Sequence, residues 1–130
     1  MAGWTHDDLD RIGTSEELEL ASRRRDGSLR GFVTMWVIRS GGDLYVRSAH
    51  GPDNPWYRRA VTTGVGTIRA GGVERDVTFA GADSGVHDTI DAAYHAKYDQ
   101  YGPKIVGAVV GADAHEVTIR LVPLVPPKET

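Results

Sequence analysis

The stretch from Leu44 to Arg59, LYVRSAHGPDNPWYRR, holds the residues of this 130-residue chain whose types and spacing can do chemistry. Leu44 and Val46 alternate with Tyr45 and Arg47, so the spacing predicts a strand with one buried face and another that lines a cleft or meets solvent. A loop follows, with Ser48, His50 and Gly51 ahead of a helix expected to start near Asp53 or Asn54. The first N–H groups of a helix lack intrahelical partners and point outward, so this loop can converge on an anion such as a cofactor phosphate. Trp56 and Tyr57 then anchor the helix or wall the pocket. A strand, a turn and a capped helix with core aromatics explain the same residues without a ligand.

Three further groups bear on chemistry. Of the 15 basic residues only Lys97, Lys104 and Lys128 are lysines; the arginines cluster at Arg23, Arg24, Arg25 and Arg30 and again at Arg58 and Arg59. The planar guanidinium suits phosphate and carboxylate, although a GC-rich coding bias produces the same excess. His87, Asp91 and His95 lie at four-residue steps and can present ligands to a divalent ion. The same spacing arises on any solvated helix face, and no other segment is expected to add ligands, so no metal site is assigned. Ser48 lacks a nucleophile-elbow pattern, and His50 is too near it along an extended chain to act as its base. Trp36 is expected in the core.

Composition narrows the function classes. Without cysteine there is no disulfide framework, thiol nucleophile or thiolate metal site. A net charge of −3 argues against nucleic acid as a partner, and no apolar run reaches the roughly 20 residues a membrane-spanning helix needs. The acidic start MAGWTHDDLD is unlike a secretory leader, which makes the cytoplasm the expected location. The length suits one domain over residues 1–130, small enough that a second subunit commonly completes a site.

These residues need elements to position them. Thr5 caps a helix that Gly13 ends, residues 1–14 forming an N-terminal helical segment that closes one end of a barrel. Glu16 to Arg25 alternates as a strand, and Asp26-Gly27 turns it into a hairpin. Leu29 to Arg39 contains GFVTMWVI, whose continuous apolar character predicts one central strand covered on both faces. Gly41-Gly42-Asp43 leads into the strand at Leu44, and Thr67–Ala70 and Val73–Ala80 form a hairpin around Gly71-Gly72. From Ser84, the expected N-cap, to Tyr101, the residues Val86, Ile90, Ala93, Tyr94, Lys97, Tyr98 and Tyr101 share one helical face. Residues 104–112 are read as a further helix, Glu116 to Val122 as the last strand, and residues 123–130 as a frayed tail. Antiparallel hairpins dominate, parallel βαβ units and internal repeats are absent, and the expected class is mainly β with flanking helices, a small antiparallel barrel.

In order, RRDGSLR, the apolar strand, GGDLYVRSAHG, PWYRRA and KYDQYG resemble the deazaflavin-dependent nitroreductases of the FMN-binding split-barrel superfamily, which includes pyridoxamine phosphate oxidase-like proteins. The likeness spans roughly residues 16 to 122 and is greatest to a branch of unassigned function. It implies a split β-barrel, a homodimer, and FMN or a deazaflavin coenzyme as cofactor. The basic, Gly-containing turn matches Arg24, Arg25 and Gly27, and the arginine opening the long strand matches Arg30; by resemblance these contact the phosphate tail. The Trp-Tyr pair matches Trp56 and Tyr57. Tyr98 and Tyr101 match two tyrosines that stand above the pocket in the family, where a phenol acts as general acid or hydrogen-bond donor toward a small-molecule substrate. The chain departs at His50, where the family favours lysine in a Ser-Lys-Gly-Gly-like loop that here reads Ala49-His50-Gly51-Pro52, at Arg59, where asparagine is common, and at Phe32–Thr34, where a proline usually lies beside the isoalloxazine ring. The implied activity is a flavin- or deazaflavin-dependent oxidoreductase. The alternatives are a cofactor-free ligand-binding barrel and a cofactor-independent acid/base enzyme using the cavity.

Overall fold

A computed structural model describes residues 4–49 and 51–124. Seven strands form one antiparallel sheet in the order β2-β1-β5-β6-β7-β4-β3: β1 Leu18–Ser22, β2 Val33–Met35, β3 Ile38–Ser40, β4 Asp43–Arg47, β5 Val65–Ala70, β6 Val73–Gly81 and β7 Thr118–Pro123. The expected mainly-β, antiparallel split barrel with flanking helices is observed.

The barrel closes through the segment expected to be one central strand. That segment is two short strands, and they occupy the two opposite edges of the sheet. β2 pairs with β1 (Leu20↔Val33), the chain breaks at Trp36-Val37, and β3 pairs with β4 (Ile38↔Tyr45). One run of chain therefore joins both edges and curls the sheet. Continuous hydrophobicity marks residues that meet different neighbours in succession, and Val33, in the first half, is 37% exposed.

The inner face carries Leu18, Leu20, Leu44, Val46, Ile68, Val77, Ile119 and Leu121, packed with Leu9 and Ile12 of α1 (His6–Gly13) and Trp56 and Ala60 of α2 (Pro55–Thr63). Thr5 caps α1 by accepting from Asp8 N–H, as expected. Arg75 ties α1 to β6 through both carboxylate oxygens of buried Asp8, at 3.0 and 3.1 Å. Gly71 has φ +58°, and a Cβ there would lie 2.2 Å from the Arg11 carbonyl oxygen, so the β5–β6 turn can sit under α1 only as glycine. The outer faces of β3 and β4 give Ile38 and Tyr45 to a second core with Ile90, Tyr94 and Tyr98 of α3 (His87–Tyr98).

Other boundaries differ from expectation. β4 is buried on both faces, because α3 covers Tyr45 and Arg47. Ser84 is not an N-cap; a 3-10 turn over Ser84–Val86 precedes α3, whose start has no side-chain cap. Residues 104–112 do not form one helix: α4 is Pro103–Val106 and α5 is Ala112–His115, each a single turn, since glycines 107 and 111 interrupt a short run. Pro123 belongs to β7, and the remainder of the tail from residue 125, like His50, lies outside the described residues.

Candidate cofactor cleft

Two hollows lie side by side along the same two segments, residues 30–36 and 53–59. The first is a cleft of about 380 Å³, walled by Val33, Met35 and Trp36 on one side, by Asn54 and Trp56 on the other, and by Ile105 and Val109 beyond α4. Asn54 fixes the second wall, because its side chain accepts from Trp56 N–H and caps α2, with Pro55 pre-set for the first turn. Trp56 is buried, whereas Trp36, expected in the core, is half-buried and faces the cleft. An apolar, aromatic lining with a few polar groups is the usual character of a small-molecule site.

The second hollow, about 360 Å³, is lined by Arg30, Arg58, Arg59, Thr62 and Thr63 beside the Asp53–Pro55 turn. Among the described residues, none of these three arginines is in an ion pair with a carboxylate, and the Arg30 Nε is buried with no hydrogen-bond partner. An orphaned buried donor is costly unless a ligand or water meets it. Three guanidinium groups converging on one groove suit a phosphate. A larger hollow, about 830 Å³, has Glu16, Glu17, Glu19 and Glu74 around Arg69, which is the wrong charge for that role.

The other site residues expected from sequence fall outside these hollows. Arg24 and Arg25 are exposed on the turn at Gly27, whose φ is +90°, and Arg24 is committed to Ser28 Oγ (3.3 Å) and the Leu29 carbonyl (3.0 Å). Ser48 is buried and donates from Oγ to the Gly51 carbonyl at 2.6 Å, shaping the loop. Tyr57 donates to the Glu116 carbonyl at 3.2 Å, and burial pushes its phenol pKa up. Tyr98 is 1% exposed and lies behind Trp36, their rings stacked at 4.0 Å and 5°. Its hydroxyl accepts from Val37 N–H at 3.2 Å and is 2.7 Å from the Glu16 carbonyl, to which it donates. Burial pushes its pKa up as well. Lys97 donates to the Val37 and Gly13 carbonyls at 2.7 and 2.9 Å, so the break between β2 and β3 is held by these two side chains of α3. Tyr101 donates to the Glu16 carboxylate.

None of Arg47, Arg58 and Trp36 was named as a site residue from sequence: Arg47 was read only as lining a cleft or meeting solvent, Arg58 as part of an arginine cluster and Trp36 as core. The Arg47 side chain is fully buried: it pairs with Asp91, donates to Thr118 Oγ1 (2.8 Å) and the Val109 carbonyl (2.7 Å), and reaches His87 Nδ1 (3.4 Å). Burial pushes the Asp91 pKa up, but hydrogen bonds from Arg47, His115 and Gly111 outweigh it and hold the carboxyl below its usual range. The signal for Arg58 was in the sequence, because Arg58/Thr62 and Arg59/Thr63 are i, i+4 pairs on adjacent stripes of one helix. Nothing in the alternation of β4 distinguished a solvated Arg47 from a buried one.

The family model for an uncharacterized protein conserved in bacteria, DUF2255, matches residues 8–121. The chain belongs to the DUF2255 family. No curated protein matches it. Among solved structures, the DUF2255 chain is similar to HutZ, a heme storage protein from Vibrio cholerae, at 13% identity and a TM-score of 0.63, covering 92% of this chain and 89% of that one. It is also similar to an F420 reductase, at 17% identity and a TM-score of 0.54, covering 90% of this chain and 93% of that one. At such identities the likeness establishes the split-barrel fold and leaves the function to the site.

Proposed function

We propose that this DUF2255 chain binds a flavin or deazaflavin coenzyme, FMN or the F420 type, with the ring in the cleft between Trp36 and Trp56 and the phosphate in the Arg30–Arg58–Arg59 groove, and that it is an oxidoreductase acting on a small organic molecule. The observation that carries this reading is the buried, partnerless Nε of Arg30 in a groove with two further arginines, next to an aromatic cleft. The similar split-barrel structures include a heme storage protein and an F420 reductase, which supports a cofactor-sized ligand for this fold. The coenzyme, when bound, supplies hydride transfer. The chain's own part is to neutralise the phosphate with guanidinium groups, pack the ring between apolar walls and exclude water from it. Tyr98 acts as a positioning residue by fixing Trp36 from behind, and the Tyr101 hydroxyl is committed to Glu16 outside both hollows. Arg24, Arg25 and Gly27 form the turn that sets the entry of Arg30.

Titration of the purified full chain with FMN, the deazaflavin coenzyme and hemin, followed by visible absorbance, tests the reading. Saturable binding of one of the first two supports it. Binding of hemin alone, or of none of the three, overturns it.

A further inference from the structure

A cluster separate from the cofactor cleft lies where α3 meets α5. Asp88 and Asp91 stand on α3, and His115 ends α5, with one ligand atom from each lying within 4.8 Å of the others. The helix-face reading from sequence paired His87 and Asp91 with His95. In the structure His95 is bonded to Asp99 at 2.8 Å instead, and His115 supplies the ligand from a second segment. His115 Nε2 is 3.2 Å from Asp91 Oδ2. Two ligand atoms each about 2.1 Å from one ion are separated by about 3.0 Å at a right angle and about 3.4 Å at the tetrahedral angle, so this pair already has the spacing of neighbouring ligands. The surroundings fix both groups. His87 stacks on His115 with ring centroids 4.5 Å apart and planes 11° from parallel, and Arg47 holds Asp91 by Oδ1, while Oδ2 accepts from Gly111 N–H and faces His115. Oriented partners behind the ligands are what a metal site requires.

We propose that Asp88, Asp91 and His115 bind a divalent first-row transition ion of the Zn²⁺ class, which clips the 107–115 segment onto α3. Imidazole with carboxylate suits such an ion. The Arg47 guanidinium offsets one of the two carboxylate charges, which disfavours Ca²⁺ and Mg²⁺, ions that depend on dense oxygen coordination. The clip bears on the cleft, because Gly111 N–H is bonded to Asp91 at 3.2 Å and Val109, two residues before it, lines the cleft wall.

The test is calorimetric titration of the chelator-treated full chain with Zn²⁺, with Co²⁺ as a spectroscopic probe. The expected result is saturable binding of a single ion per chain and a visible Co²⁺ band. Asp88→Asn, which leaves the Asp91–His115 contact in place, and His115→Ala should each weaken binding by about tenfold or more, while His95→Ala leaves it unchanged. Asp88 is exposed, so Asp88→Asn remains informative even where His115→Ala fails to fold. Absence of Zn²⁺ binding, equal binding of Mg²⁺, or loss of binding in His95→Ala with Asp88→Asn unaffected would overturn the proposal.

Discussion

The two sides of residues 33–37 use polar groups in opposite ways. On the α3 side most are committed to protein partners, the buried Tyr94 hydroxyl excepted: Arg47 to Asp91, Thr118 and Val109, Tyr98 to Val37 and Glu16, Lys97 to Val37 and Gly13. On the α2 side the guanidinium groups face a groove, and one has a buried donor with nothing to meet it. A side chain whose hydrogen bonds are satisfied within the chain stabilises the fold, while a preorganised but unsatisfied one is available to a ligand. On the proposed reading Arg30, together with Arg58 and Arg59 of α2, supplies the binding groups, and Tyr98, which the family resemblance set above the pocket, belongs to the seam.

That contrast can be broken by substitution. The largest effect is expected for Arg47→Met, which leaves half-buried Asp91 with only His115 and Gly111 and takes the buried donor from the Val109 carbonyl, and it should cost about 3 kcal/mol of stability in denaturant unfolding. Adding Asp91→Leu should restore much of the loss, and no restoration would show that Arg47 matters through its other bonds. Tyr98→Phe removes the acceptor for Val37 N–H and should cost about 1–3 kcal/mol. Coenzyme affinity should change little in that variant; a large loss of affinity with unchanged stability would move Tyr98 to the binding side.

Arg59→Ala reverses the pattern. It should weaken coenzyme binding by about tenfold, the loss of one charge-assisted contact of about 1.4 kcal/mol, with stability altered by less than about 0.5 kcal/mol. A further effect is in pH dependence. Burial lowers the Lys97 pKa to about 8. Between that value and the ordinary lysine value near 10.4, the unfolded chain binds a proton that the folded chain does not, so this residue makes stability rise with pH from about 8. Above about 10 the buried Tyr94 and Tyr98, whose pKa values burial raises, pull the other way, because the folded chain then holds protons the unfolded chain has lost. Unfolding curves across this range should show a rise and then a fall, and Lys97→Met should remove the rise.

Local physics made much of the fold legible. Thr5 and Asn54 cap the expected helices, Gly41-Gly42 and Gly71-Gly72 turn the expected hairpins, and the Ile90–Tyr94–Tyr98 stripe packs as its spacing predicts. GFVTMWVI was misread because an apolar run reports burial but not which strands bury it, and closure of the barrel puts its halves on opposite edges. The candidate site was half legible. Arg30, Trp56 and Arg59 were named for a ligand and line the two hollows. Arg47 and His115 were hidden because their partners are about 44 and 24 residues away in sequence, through contacts that exist only once α3 has docked.

The central claim divides one coenzyme between an aromatic cleft and an arginine groove, and comparing FMN with riboflavin in the wild-type chain tests it most directly. The two share a ring and differ in the phosphate. For a flavin-binding chain, fluorescence titration should show FMN held at least about tenfold more tightly, with Arg58→Ala/Arg59→Ala abolishing the difference. Equal affinities, or a difference that survives the double substitution, would contradict the division.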